Sequence, residues 1–268
     1  MAAKVSKAEF AALLVAAIDH NADGRGKAEQ RIQELEKQEF GEFVRLAADV
    51  LADNTLPMPV RQIACILLKN NVFKRRDPGN EANRRWGLLP STLRDSIIKQ
   101  LIGALQSADS RQLQQQNAMA LSAVACAAIT ADSSSFNEYL QTLVQRCLSE
   151  SDKIQERIGV MLFIAPLMDE VGSCIDKEHC VTFKLQCGDL LKSQVNHLLS
   201  ATINCAKLDV LTNSKDSAAA VRLVEAAFNA LNAIIPSAGA NFQNGVLRAI
   251  HSAQTDPSCW RVCSRSGR

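Results

Sequence analysis

The chain has 268 residues, 47% of them hydrophobic and 4% aromatic, with 30 basic and 28 acidic side chains for a formal charge of +2. That length and apolar content suffice to bury a sizeable core, which excludes a disordered protein; the near-neutral balance excludes recruitment to nucleic acid or anionic membrane by overall charge. Only 12 Gly and 7 Pro among many Ala, Leu, Gln and Lys is the composition of helices, so an all-α protein is expected.

The first predicted helix opens with Ser6 and Glu9, spaced as a capping box, and continues with Phe10, Leu13, Leu14, Ala17 and Ile18 on one face. After a turn expected over Asn21 to Gly26, Ala28, Ile32 and Leu35 mark a second helix, and Phe40, Phe43, Val44, Ala47 and Leu51 a third. Val60, Ile63, Ala64, Leu67, Leu68 and Val72 form the stripe of a fourth. Beyond the loop KRRDPGNEANRRW, helices follow on Leu93 to Leu105 and on Leu113 to Ala128. A second capping box, Ser135 with Glu138, is expected to start the helix of Leu140, Leu143, Val144 and Leu148. Further helices are expected at Ile154 to Val171, Leu185 to Ala206, Ala218 to Ile235 and Phe242 to Ser252. No alternating strand pattern interrupts them.

Paired helices of this length build either a bundle or a solenoid, and internal similarity favours the solenoid. VRQIACILLKN, ERIGVMLFIAPLM and VRLVEAAFNALNAI each carry an Arg at the helix start, Arg61, Arg157 and Arg222, and then an apolar face with small residues. This is the pattern of the second helix of a HEAT-type pair. The interval from Arg61 to Arg157 is expected to hold two units of about 48, near the usual period, and the next interval one unit with an insertion around Gly172 to Gly188. Five to six pairs are expected over 1–253, with a poorly packed tail at 254–268.

No chemistry-bearing constellation emerges. The nine cysteines include Cys65, Cys126, Cys147 and Cys205 in apolar helical settings, where Cys acts as a small hydrophobe. Cys174, His179, Cys180 and Cys187 lack zinc-type spacing, and no metal or cofactor is expected. The four histidines are scattered, and no H-E-x-x-H, phosphate-binding glycine loop or nucleophile elbow occurs, so no enzyme is expected. The most apolar run, Ile158 to Met168, is about half a membrane span, and no secretory signal is read at the N-terminus.

The order PVRQIACILLKN, a basic and acidic loop, RRW and then RDSIIKQLIGAL resembles the N-terminal domain of importin-β type transport receptors. AVACAAIT and VRLVEAAFNAL extend the similarity, which runs with gaps from about Ala28 to Phe242 and centres on 25–105. The resemblance implies a right-handed α-solenoid of HEAT-type pairs, first helices convex and second helices concave, working between cytoplasm, nucleus and nuclear pore. It implies Ran-GTP as partner of the second helices, nucleoporin Phe-Gly repeats on the convex face, and importin-α or cargo on repeats beyond this sequence. Arg61, Lys69 and Asn70 are then the Ran-facing residues, bordered by Lys74, Arg75, Arg76, Arg84, Arg85 and Trp86. The residues themselves allow plainer roles: Arg61 bracing a helix C-terminus, Lys69 and Asn70 closing their helix, and Trp86 anchoring the loop. The alternatives are a HEAT scaffold for other proteins and, with the Lys74 to Arg85 loop as its only patch, a nucleic-acid binder.

Overall fold

The computed structural model describes residues 5–19, 22–73, 85–107, 110–131, 133–148, 154–175, 202, 205 and 217–237, and every regular element among them is helical. In chain order these are α1 (Lys7–Ile18), α2 (Ala22–Gln38), α3 (Phe40–Leu51), α4 (Met58–Val72) and α5 (Ser91–Gln106). They continue as α6 (Arg111–Ala131), α7 (Ser133–Leu148), α8 (Ile154–Ile175) and α9 (Ser217–Ser237).

The start of α1 forms as its sequence dictates. Ser6 Oγ accepts from the Glu9 amide at 3.2 Å, and Glu9 returns a carboxylate to the Ser6 amide at 2.7 Å, so two orphan donors are satisfied at once. Phe10 and Leu14 point inward, and Phe10 meets Phe43 of α3 edge to face at 6.1 Å. Two expected boundaries move. The turn assigned to Asn21–Gly26 is mostly helix, since α2 begins at Ala22, where Asp23 suits the positive end of the helix dipole. Ser135 lies inside the first turn of α7, which starts at Ser133, and so is not its cap.

Each pair packs within itself, α1 on α2, α3 on α4, α5 on α6 and α7 on α8. The pairs then stack: the second helices α4, α6, α8 and α9 contact one another in succession, and α3 lies beside α5. One continuous apolar core runs from α1 to α9. The result is an α-solenoid of HEAT-type pairs rather than a closed bundle.

α6 sits at the centre, buried on all sides from Ala120 to Ile129, because Ala120, Ala123, Ala125, Ala127 and Ala128 let neighbours approach closely. Gly159 does the same for α8. A Cβ there would lie 3.0 Å from the Leu105 carbonyl oxygen, so the end of α5 rests directly on the α8 backbone.

The two units expected between Arg61 and Arg157 are unequal. α6 is the intervening second helix, and its Asn117 occupies the place of Arg61. Arg61 Nε donates to the carbonyl of Leu51, the last residue of α3, at 3.0 Å; Asn117 Nδ2 donates to Ala104 in the last turn of α5, also at 3.0 Å. The spacings are therefore 56 (61 to 117) and 40 (117 to 157), the longer one containing the basic loop. The expected helix at Phe242–Ser252, the tail and most of Leu185–Ala206 lie outside the described residues; Thr202 and Cys205 are helical and buried.

Candidate binding face of the second helices

α4 starts after Pro57 with Pro59 in its first turn, where a missing amide and a fixed φ do no harm. Its buried side, Val60, Ala64, Leu68 and Val72, faces α3 and α6. That orientation leaves Ile66 and Asn70 exposed and Lys69 half-buried at the helix end, so Lys69 complements the negative end of the dipole.

Arg61 is only 2% exposed and turns away from this surface. Its guanidinium supplies a donor to the end of α3, which is the bracing role, and any effect on a partner passes through the placement of α4. Nearby, the Cys65 thiol donates to the Gln116 carbonyl at 2.7 Å, and burial pushes it up to about 12, so it is an inert structural thiol. Cys126 and Cys205 are likewise buried; the Cys147 side chain lies outside the described residues.

Of the border loop, Lys74, Arg75, Arg76 and Arg84 lie outside the described residues. Its far end is held firmly. Arg85 Nη1 is 2.6 Å from Glu36 Oε1, Nη2 donates to the Glu36 carbonyl near the end of α2, and the guanidinium carbon lies 4.0 Å over the Phe40 ring. Trp86 is fully buried as an anchor. Arg85 thus fastens this end of the loop to the α2–α3 junction.

Farther along, Gln112, Gln115 and Met119 form the exposed side of α6. Arg111 of α6 reaches Glu225 of α9 at 2.8 Å, past the intervening α8, and Arg222 of α9 donates to Gln155 of α8 at 2.7 Å. Arg222, alike to Arg61 in sequence, thus reaches a neighbouring second helix. Sequence reading missed this cross-connection, since pairs 114 positions apart leave no local signal. Among the described residues there is no group of three or more metal-ligating side chains, and no helix is long and apolar enough to cross a membrane.

Stacked helix pairs with a shared row of second helices define the class as a HEAT-type α-solenoid. Within it, residues 28–107 match the family model of the importin-beta N-terminal domain. Among solved structures, yeast importin-beta (Kap95p) superposes with a TM-score of 0.72 at 19% identity, over 93% of this chain and 26% of that one. Kap95 in complex with Nup1 gives 0.71 at 19% identity, over 98% and 27%. Kap95p with RanGDP, whose switch loops it brings to the GTP-bound conformation, gives 0.55 at 18%, over 92% and 30%. The chain thus spans between a quarter and a third of the length of these structures. No curated protein matches it in sequence.

Proposed function

We propose that the chain is the N-terminal part of an importin-β type nuclear transport receptor, a non-enzymatic protein that moves between cytoplasm and nucleus. The observation that carries this is the match over 28–107, which covers α3, α4 and α5 and most of α2. Its second helices take Ran-GTP, and the opposite side takes nucleoporin Phe-Gly repeats. Lys69 and Asn70, with Ile66 beside them, are the contact residues on α4, while Arg61 fixes that helix and the loop of Lys74, Arg75, Arg76 and Arg84 borders it. The repeat array extends to about residue 253. Similarity to Kap95 structures that include Ran and a nucleoporin supports the choice of partners.

The test is capture of purified Ran loaded with GTP or GDP. GTP-form binding is expected to dominate, because the switch regions order around the γ-phosphate. Replacing Lys69 with Glu and Asn70 with Ala should cut capture severalfold while changing stability by less than about 0.5 kcal/mol, as for other surface changes. Equal capture of both nucleotide states, or none, would leave the scaffold reading in its place.

A further inference from the structure

In a stacked array each pair touches only its neighbours, so curvature is the sum of small rotations at successive joints. A contact that skips a helix senses two joints at once. Arg111 of α6 and Glu225 of α9 make such a contact at 2.8 Å, although α8 stands between them in the row. Were the row straight, α8, about 10 Å across with its side chains, would hold the two helices apart. The row therefore bends inward at α8, and the pair closes the inner side of the bend over Ile158 and Leu162.

The two joints differ in kind. Between α6 and α8, Gln114 and Ile158 are buried, and Ser122 Oγ donates to the Phe163 carbonyl at 3.4 Å as well as to Ala118 at 2.8 Å. The end of α5 also rests on the α8 backbone at Gly159, so this joint is pinned. α9 instead buries mostly alanine, Ala219, Ala220, Ala226, Ala227 and Ala230, and its Arg222–Gln155 tie to α8 is exposed. Small side chains raise shallow ridges that interlock little, and packed helices shear along such faces. This second joint can slide.

We propose that Arg111 and Glu225 form a clasp that sets the curvature of the array at α8: closed, it holds α9 toward α6, and open, it lets α9 shear outward along α8. Both side chains are about half exposed, at 51% and 48%, so water and dissolved ions compete for them. An exposed pair of this kind favours the closed form by no more than about fivefold. A lock of that strength is reset by the solvent, and the shape of the chain follows ionic strength. Arg222, one turn before Glu225, has the charge of Arg111, so a cation placed at position 225 faces two guanidinium groups. The clasp depends on the packing of α6, α8 and α9 and is independent of the Ran assignment.

The experiment uses the full chain with spin labels carried by ketone-bearing residues at the exposed positions Gln112 of α6 and Asn232 of α9, and reads their separation by pulsed electron resonance. Raising salt from about 0.01 M to about 1 M shortens the screening length from about 30 Å to about 3 Å and should enlarge the long-distance population by up to about fivefold. Glu225→Arg should show the long distance already at low salt, with helix content by circular dichroism unchanged. Glu225→Gln, which removes the attraction without adding repulsion, should shift the population the same way by less. Adding Arg111→Glu to Glu225→Arg should restore the short distance and its response to salt. Lys69→Glu with Asn70→Ala should leave the distances as they are, which separates a failure here from a failure of Ran capture. A distance that neither salt nor the substitutions at Glu225 change, or a charge-swapped chain that stays open, overturns the proposal.

Discussion

Arg61 carries its charge into the interior, where Nε meets the Leu51 carbonyl at 3.0 Å. A buried hydrogen bond from a charged donor contributes about 1.5–3 kcal/mol, and its loss also strands the end of α3. Arg61→Ala is therefore expected to lower unfolding free energy by about 2–3 kcal/mol, measured by urea titration; a loss under about 0.5 kcal/mol would show that the brace is dispensable. From the sequence alone this residue supported both a brace and a partner contact, because PVRQIA specifies where the Arg stands on the helix but not what packs over it. Asn117 was not legible at all. It performs the same task in α6 with a different side chain, so no residue-type repeat could reveal it. Gln114 was equally silent, since one Gln in the run QLQQQN looks like the rest until burial singles it out.

At the scale of the element, the apolar stripes were the reliable signal, and the stripes of α3, α4 and α5 face inward as their spacing requires. Caps were less so: Ser6 and Glu9 form the box as their spacing predicts, whereas α7 already begins at Ser133 and takes Ser135 into its first turn. The close approach of α8 to α5 had no sequence marker beyond a glycine. In an exposed helix Gly→Ala gains about 1 kcal/mol, but at Gly159 the new Cβ would meet a backbone oxygen at 3.0 Å, an atom that moves only with its helix. Overpacking of that kind costs about 1–3 kcal/mol, so it outweighs the propensity gain. Gly159→Ala should lower the melting temperature, while Gly103→Ala, with open space around it, should raise it. A stabilised Gly159→Ala would contradict the packing described.

For the whole molecule, similarity between VRQIACILLKN and VRLVEAAFNAL was enough to read a solenoid, because a helix packed on both neighbouring pairs needs small residues at helical spacing. The route of the charged cross-connections was not readable, since Arg111 and Glu225 meet only once the pairs have stacked. Stability in such an array is unevenly shared, and the helix enclosed on most sides opens last. Amide exchange should therefore be slowest in α6 between Ala118 and Ile129, with α1 and α2, whose contacts among the described helices are with each other, α3 and α4, exchanging first. Uniform protection across these helices would indicate a single cooperative unit instead.

The succession of second helices also bears on how the chain is made. α4 finds α3 and α1 already synthesised, α6 finds α5 and α4, and α8 finds α7, α6 and α5, so each new helix emerging from the ribosome completes contacts with chain that precedes it. Contacts of short sequence separation form quickly, and little loop entropy has to be overcome to make them. The protein is thus suited to fold from its N-terminus as it is translated, each finished pair serving as the template on which the next condenses. The Arg111–Glu225 pair, joining helices two steps apart, is among the late contacts to close, and it does so only when α9 has left the exit tunnel and docked on α8.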